Sequence, residues 1–70
     1  MYLETNKGTW FISNYPTELT QEQKKELKEL LEMPSFKKES IYRILDIPSS
    51  EWFFILDFEE KSISFFKKNS

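Results

Sequence analysis

The pattern of apolar and polar residues is most strand-like in the last third of the chain. Residues 51–57 hold five consecutive aromatic and aliphatic side chains, residues 58–61 are mostly polar, and residues 62–67 begin with an alternation of serine and apolar side chains. A period of two residues is typical of a strand with one covered face, so this segment predicts an antiparallel hairpin. Its four-residue loop fixes the register, which pairs Asp57 with Ser62, Ile55 with Ser64 and Phe53 with Phe66.

The predicted register distributes the apolar side chains of this hairpin over both faces. One face holds the predicted core set, which consists of Trp52, Phe54, Leu56, Ile63 and Phe65. The opposite face also carries large apolar side chains, which form an adhesive patch unless a helix or the N-terminal hairpin covers them. Because aromatic residues are enriched at binding hot spots, we predict a partner-binding site on this opposite face. Its residues are Phe53, Ile55, Ser64 and Phe66, with Ser64 at the rim.

The first thirteen residues predict a second hairpin. Residues 2–5 and 9–13 have the composition of strands. The three residues between them, 6–8, form a loop whose glycine stands where a positive φ is favoured. In this register Leu3 and Phe11 share one face. The other face carries Tyr2, Glu4, Trp10 and Ile12.

One helix is predicted between the two hairpins. A loop over 14–19 precedes it, and Thr20 and Gln23 have the spacing of a capping box. We expect the helix to run to about Glu32, before the next proline. Its apolar stripe consists of Leu27, Leu30 and Leu31. Because the first half of the helix contains no apolar side chain, we expect that half to project into water.

Residues 35–47 fit two patterns. The apolar residues from Ile41 to Leu45 follow helical spacing, while their alternation with polar residues fits a strand equally well. Because β-branched and aromatic residues dominate, the sequence favours a strand over Ser40 to Leu45. The predicted fold class is α+β, with a small antiparallel sheet of four or five strands packed on one main helix in the order β-β-α-(β)-β-β. We expect residues 1–70 to form a single small domain.

The residue inventory removes most kinds of catalytic site. The chain has no cysteine, no histidine and one glycine. This composition excludes disulfides, thiol nucleophiles, histidine bases and glycine-rich phosphate loops. Asp and Glu number 12, but clusters such as Glu59 and Glu60 fall in a turn, and solvated carboxylates make poor general acids at neutral pH. We therefore expect no enzymatic activity, no cofactor and no metal site.

A nucleic-acid partner is the alternative from a different functional class. Residues 39–52 resemble a helix-turn-helix, with a second helix from Pro48 onward. The resemblance implies a winged-helix-like DNA-binding regulator built on residues 20–67. A second possibility is that Phe53 and Phe66 stack on single-stranded bases. The second helix of the resemblance is apolar and has no Arg, Lys, Asn or Gln to reach base edges, which disfavours the regulator. The net charge of −2 disfavours base stacking, because such surfaces normally lie in a positive field. A strand over 47–57 would support a protein-binding module, and a helix there would support the regulator.

The sequence favours a non-catalytic protein-binding module, with a second copy of the chain as the other candidate partner. Lysine outnumbers arginine nine to one, and alanine and valine are absent, a bias that suggests an AT-rich coding source. A small inhibitor or adaptor from a phage or other mobile element, acting on a host protein in the cytoplasm, fits this composition. No uninterrupted apolar run reaches membrane-spanning length, so we expect no membrane or small-molecule partner.

Overall fold

Four strands and two helices make up the computed structural model, which describes residues 1–15 and 18–68. Along the chain they are β1 (Tyr2–Thr5), β2 (Gly8–Ser13), α1 (Gln21–Glu32), α2 (Lys38–Leu45), β3 (Trp52–Asp57) and β4 (Ser62–Lys67). The strands form one sheet in the order β1-β2-β4-β3, so β1 and β3 are its edges. Neighbouring strands are antiparallel except for β2 and β4, which run parallel.

The sheet differs from the predicted one in strand direction. The α+β class and the four strands agree with the sequence analysis, but the all-antiparallel arrangement is wrong because β4, and not β3, lies beside β2. The chain leaves β2, passes through both helices and β3, and returns along β4, a crossover long enough for a parallel pair. Phe11 then lies beside Ser62, and Ser13 lies beside Ser64. The sheet is therefore mixed.

The C-terminal hairpin has the register that the sequence predicts. Asp57 lies opposite Ser62, Ile55 opposite Ser64 and Phe53 opposite Phe66. The predicted core side of this hairpin is indeed covered: Phe54, Ile63 and Phe65 are buried, and Trp52 and Leu56 are half-buried against the core. Because successive strand residues point to opposite faces of a sheet, the predicted register places each side chain of this hairpin on the correct face.

The N-terminal hairpin is shifted by one residue from the predicted register. Its loop has two residues, so Thr5 pairs with Gly8, and Leu3 pairs with Trp10 rather than sharing a face with Phe11. Such a slip moves the side chains of one strand to the other face. The buried residues of this hairpin are Leu3, Trp10 and Ile12, while Tyr2 and Phe11 share the exposed face.

Gly8 explains the shorter loop. It begins β2 with a φ of 121°, and a Cβ atom there would lie 2.9 Å from Cε of Lys61. The hydroxyl of Thr5 donates to the Gly8 carbonyl at 2.8 Å and accepts from the Lys7 N–H at 3.1 Å, which closes the turn before glycine. Glycine therefore belongs to the strand rather than to the loop.

Helix α1 begins and ends where the sequence predicts. The Thr20 side chain accepts from the Gln23 N–H, and the Gln23 side chain accepts from the Thr20 N–H, so the capping box is complete. The predicted stripe of Leu27, Leu30 and Leu31 is buried. The first half of α1 is mostly exposed, as expected, with only Gln23 and Lys24 partly buried. Nε2 of Gln23 donates to the Ile44 carbonyl at 3.2 Å. This bond ties the start of α1 to the end of α2.

Residues 38–45 form helix α2, so the predicted strand over Ser40 to Leu45 is wrong. Ile41 and Leu45 are both buried, one helical turn apart. Asp46 ends the helix in the left-handed conformation at φ 55°, and the Ile47 N–H donates to the Tyr42 carbonyl at 3.1 Å. The helix prevails over β-propensity because α1 has only three buried leucines, and the rest of the sheet face needs a second apolar stripe.

The two helices cover one face of the sheet. Buried side chains from both helices join those of β1, β2, β3 and β4 in one core cluster. Its members are Leu3, Trp10, Ile12, Leu19, Leu27, Leu30, Leu31, Ile41, Leu45, Phe54, Ile63 and Phe65. The core holds no buried charged residue among the described positions. We call this side of the sheet the covered face.

The loop predicted before α1 and the C-terminal end of the chain lie only partly within the described residues. Four of their residues fall outside the described ones: Pro16, Thr17, Asn69 and Ser70. In the loop predicted over 14–19, Asn14 follows β2 with a positive φ of 55°, a conformation that asparagine adopts more readily than most residues. At the C-terminal end, the Lys68 N–H donates to the Glu51 carbonyl at 2.7 Å, which extends the pairing of β3 and β4 by one residue.

Candidate functional site: the open face of the sheet

The second face of the sheet, opposite the helices, exposes a row of large apolar side chains. Alternation places eleven residues there, which we call the open face: Tyr2, Glu4, Thr9, Phe11, Ser13, Phe53, Ile55, Asp57, Ser62, Ser64 and Phe66. The exposed fractions of its apolar members are 73% for Tyr2, 41% for Phe11, 41% for Phe53, 57% for Ile55 and 37% for Phe66. All four residues of the predicted binding site therefore lie on one surface.

The first aromatic pair on the open face joins β3 to β4. Phe53 and Phe66 lie directly opposite each other, with ring centroids 5.2 Å apart and an angle of 21° between the ring planes. Ile55 extends this pair along β3 and is more than half exposed. These three side chains are the apolar part of the predicted site, and the structure brings them together.

A second aromatic pair, which the sequence analysis missed, joins β1 to β2. Tyr2 and Phe11 lie opposite each other with ring centroids 5.0 Å apart and an angle of 51° between the planes. The predicted register had placed Phe11 beside Leu3 instead. The signal that could have found this pair is Gly8, since a glycine that begins the strand shortens the loop by one residue.

Serines separate the two aromatic pairs. Ser13 and Ser64 lie side by side in the parallel ladder, and the Ser13 hydroxyl donates to Oγ of Ser64 at 3.1 Å. Ser62 lies beside Phe11, and Phe66 follows four residues later, about 13 Å along the strand. Because serine side chains are small, the middle of the open face is a shallow trough between two aromatic ridges. The sequence analysis placed Ser64 at the rim of the site. In the structure it lies at the centre of the open face.

Charge on the open face is sparse and mostly negative. Glu4 and Asp57 are its acidic members. Just beyond the Phe53 end, the backbone N–H of Lys68 donates to the backbone carbonyl of Glu51. Oδ1 of Asp57 accepts hydrogen bonds from the N–H groups of Glu59 and Glu60, each at 3.0 Å, so this carboxylate stabilises the turn between β3 and β4. Within the described part of the open face, no basic cluster accompanies the aromatic residues.

The exposed apolar area is large for a chain of this size. An aromatic side chain presents about 150–250 Å², so the five apolar members together expose roughly 500 Å² at their observed fractions. The largest apolar patch on an ordinary monomer is about 300–600 Å² and is often functional. The two aromatic clusters of the open face, taken together, reach this range.

Other candidate chemistry is less well supported. Within residues 1–15 and 18–68, no three acidic side chains converge as metal ligands would. Over the same residues, no helix has the length and apolar character needed to cross a membrane. The second helix of the helix-turn-helix resemblance does not form, because Trp52–Asp57 is strand β3. This strand is the arrangement that the sequence analysis associated with a protein-binding module.

Comparison of the chain with known protein families, with curated proteins and with solved structures finds no match.

Proposed function

We propose that this protein is a non-catalytic protein-binding module, and that the open face of its sheet contacts the partner. One observation carries the proposal: five large apolar side chains lie exposed on a sheet face that neither helix covers. Leaving so much apolar surface in water forgoes the burial that stabilises small domains. A partner that covers the face recovers that burial on binding.

The shape of the open face supports a protein partner. Two aromatic pairs flank a trough lined by Ser13, Ser62 and Ser64, so side chains of a partner can insert between the ridges. About 500 Å² of apolar area, with its polar margin, approaches the roughly 800 Å² per partner of a standard interface. Aromatic side chains are enriched at protein interfaces, which supports the two aromatic pairs as the anchors of the contact.

The charge of the open face disfavours nucleic acid. Stacked Phe53 and Phe66 offer a surface on which a base could stack, but base-stacking proteins place such rings in a positive groove. Glu4 and Asp57 give the face the opposite sign. Phosphate groups would be repelled there, so a protein surface with basic or neutral margins is the better partner.

Within this proposal, the module acts as an inhibitor or adaptor from a phage or other mobile element, and its partner is a host protein in the cytoplasm. Support for this finer statement comes from composition: the small size, the excess of lysine over arginine, and the absence of cysteine and histidine.

Affinity capture with matched variants tests the proposal. The wild-type chain, Phe53→Thr and Phe66→Thr serve as baits in an extract of the encoding organism and its host. Met33→Thr is the control, because Met33 is 51% exposed but lies at the end of α1, away from the open face. We expect a partner that binds the wild type and the control but loses at least about tenfold affinity for the open-face variants. Equal binding to all four baits would contradict the proposal.

A further inference from the structure

Strand β3 lies at an edge of the sheet. Its pairing with β4 determines which of its backbone N–H and C=O groups point outward. The Lys68 N–H donates to the Glu51 carbonyl, so residues 51 and 68 form a hydrogen-bonded pair. In an antiparallel ladder these pairs alternate, so Phe53 and Ile55 also direct their backbone groups toward β4. The backbone groups of Trp52, Phe54 and Leu56 therefore point away from the sheet, at its edge.

This edge lacks the protection found at the opposite edge of the sheet. Strand β1 has four residues, and Glu4 lies among them. Strand β3 has six residues, and its first five, Trp52–Leu56, contain no charge, proline or glycine. Natural proteins blunt exposed edges with charges, prolines, bulges or short strands, because an unprotected edge is a template for another strand. The edge is partly covered at its start, where the Tyr42 hydroxyl donates to the Trp52 carbonyl at 3.1 Å and the Trp52 N–H donates to the Pro48 carbonyl at 3.2 Å.

The side chains of β3 are complementary to a second copy of the same strand. If two copies pair antiparallel about a two-fold axis at Phe54, Trp52 lies opposite Leu56 of the other copy and Phe53 lies opposite Ile55. The five positions pair apolar with apolar on both faces, which is the cross-strand arrangement that stabilises sheets. The two Phe54 residues then exchange two backbone hydrogen bonds, and the Leu56 N–H of each copy donates to the Trp52 carbonyl of the other. The Trp52 N–H does not take part, because it already donates to the Pro48 carbonyl at 3.2 Å. The Trp52 carbonyl can accept a second donor beside Tyr42, because a carbonyl oxygen has two lone pairs.

We propose that two copies of this chain associate through β3, in the register centred on Phe54, to form one continuous eight-stranded sheet. The partner is a second copy because an identical strand satisfies every apolar position of this edge. The proposal is independent of the protein-binding function, since edge pairing leaves the open face uncovered. It also joins the two open faces side by side, so Phe53 and Ile55 of both copies meet at the centre of a doubled surface.

Acidic residues at both ends of β3 set a limit on this association. In the same register Glu51 lies opposite Asp57 of the other copy, and like charges directly opposite are destabilising. The contact between two single strands is also smaller than a standard interface. We therefore expect a weak dimer that forms with rising concentration, and Glu51→Gln should tighten it about threefold by removing two such oppositions.

Cysteine cross-linking tests the register directly, because the wild-type chain has no cysteine. Phe53→Cys and Ile55→Cys are made as separate chains, and each is oxidised alone and in an equal mixture. Residues 53 and 55 of opposite copies form a non-hydrogen-bonded pair with Cα atoms about 4.5 Å apart, within disulfide range. The mixture should therefore form a mixed disulfide at least about tenfold faster than either chain forms its own.

Two other outcomes would overturn the proposal. Rapid cross-linking of Phe53→Cys with itself would place the axis at residue 53, which is the wrong register. Copies stacked through their open faces would lie about 10 Å apart, too far for these disulfides, and would leave all three samples uncross-linked.

Sedimentation of chains without cysteine provides the second measurement. The wild type should show a concentration-dependent dimer that Ile55→Lys weakens about tenfold, because a charge on the edge strand blocks pairing. Tyr2→Lys, the matched change on the other edge, should leave the dimer intact. A wild type that is monomeric up to about 1 mM would contradict edge pairing.

Discussion

Two pairs of phenylalanines in the C-terminal hairpin share their chemistry and differ in their surroundings. Phe54 and Phe65 lie opposite each other on the covered face, 6% and 1% exposed, with centroids 5.5 Å apart. Phe53 and Phe66 lie opposite each other on the open face, 41% and 37% exposed, with centroids 5.2 Å apart. The same strands position both pairs, one residue apart.

The comparison separates two uses of aromatic side chains. The covered pair contacts the helices, with Tyr42 of α2 at 5.1 Å from Phe54, and belongs to the single core cluster. The open pair has a ring neighbour on one side and solvent on the other. Burial makes the first pair a determinant of folding, whereas exposure leaves the second pair free to contact a partner.

The largest expected loss of stability comes from truncating one phenylalanine of the covered pair. Phe54→Thr should lower the free energy of unfolding by about 3–5 kcal/mol, because it leaves a cavity and buries a hydroxyl. Threonine keeps strand propensity, so the loss reports burial rather than backbone preference. Urea unfolding followed by circular dichroism measures it. A loss below about 1 kcal/mol would mean that Phe54 is not core.

A pair of isoleucines extends the comparison to α2. Ile41 is fully buried beneath the sheet, and Ile55 is more than half exposed on the open face. Ile41→Ala should cost about 2–4 kcal/mol in urea unfolding, and Ile55→Ala should cost less than about half as much. Equal losses would show that the open face is covered in solution.

Removing the N-cap of α1 should lower stability by a smaller amount and leave partner binding unchanged. Thr20→Ala removes the acceptor for the Gln23 N–H and should lower the free energy of unfolding by about 1 kcal/mol. Thr20 lies on the helical side of the sheet, so binding of the protein partner should not change. Partner affinity that falls with this variant would place the contact on the helices instead.

The smallest effect is expected at the trough. Ser64→Ala removes the acceptor of the 3.1 Å bond from Ser13, and the half-buried hydroxyl of Ser13 can turn to water. The free energy of unfolding should fall by about 0.5 kcal/mol or less. Binding should fall more than stability if Ser64 contacts the partner. A large loss of stability would instead identify the serine pair as a structural link between β2 and β4.

The sequence predicts the C-terminal hairpin in full because two strand-like segments flank a polar loop of one clear length, which fixes the register. The same rule, applied to the N-terminal hairpin, fails by one residue, because Gly8 serves as the first strand residue rather than the last loop residue. That slip concealed Phe11 as a member of the open face. The Phe53–Phe66 side of the candidate site could therefore be predicted from the sequence. The Tyr2–Phe11 side could not, because it depends on the register between β1 and β2.

Helix α2 and the parallel pair could not be predicted from local pattern. The stretch from Ile41 to Leu45 fits both periods, and only the uncovered area beside α1 selects the helix. The position of β4 beside β2 depends on contacts distant in sequence, such as the Phe11 N–H donating to the Lys61 carbonyl at 2.8 Å. Both features are set by tertiary packing rather than by propensity.

The most direct test of the central claim compares two chains in one urea experiment. One carries Phe53→Thr and Phe66→Thr together, and the other carries Phe54→Thr alone. The account predicts that the double open-face variant unfolds cooperatively and loses about 2 kcal/mol, less than the single covered-face variant loses. The two open rings together bury at least as much area as Phe54, but water fills the space they leave, so neither a cavity nor a buried hydroxyl adds to the loss. If two substitutions on the open face cost more than one on the covered face, the open face is part of the folding core and the account is contradicted.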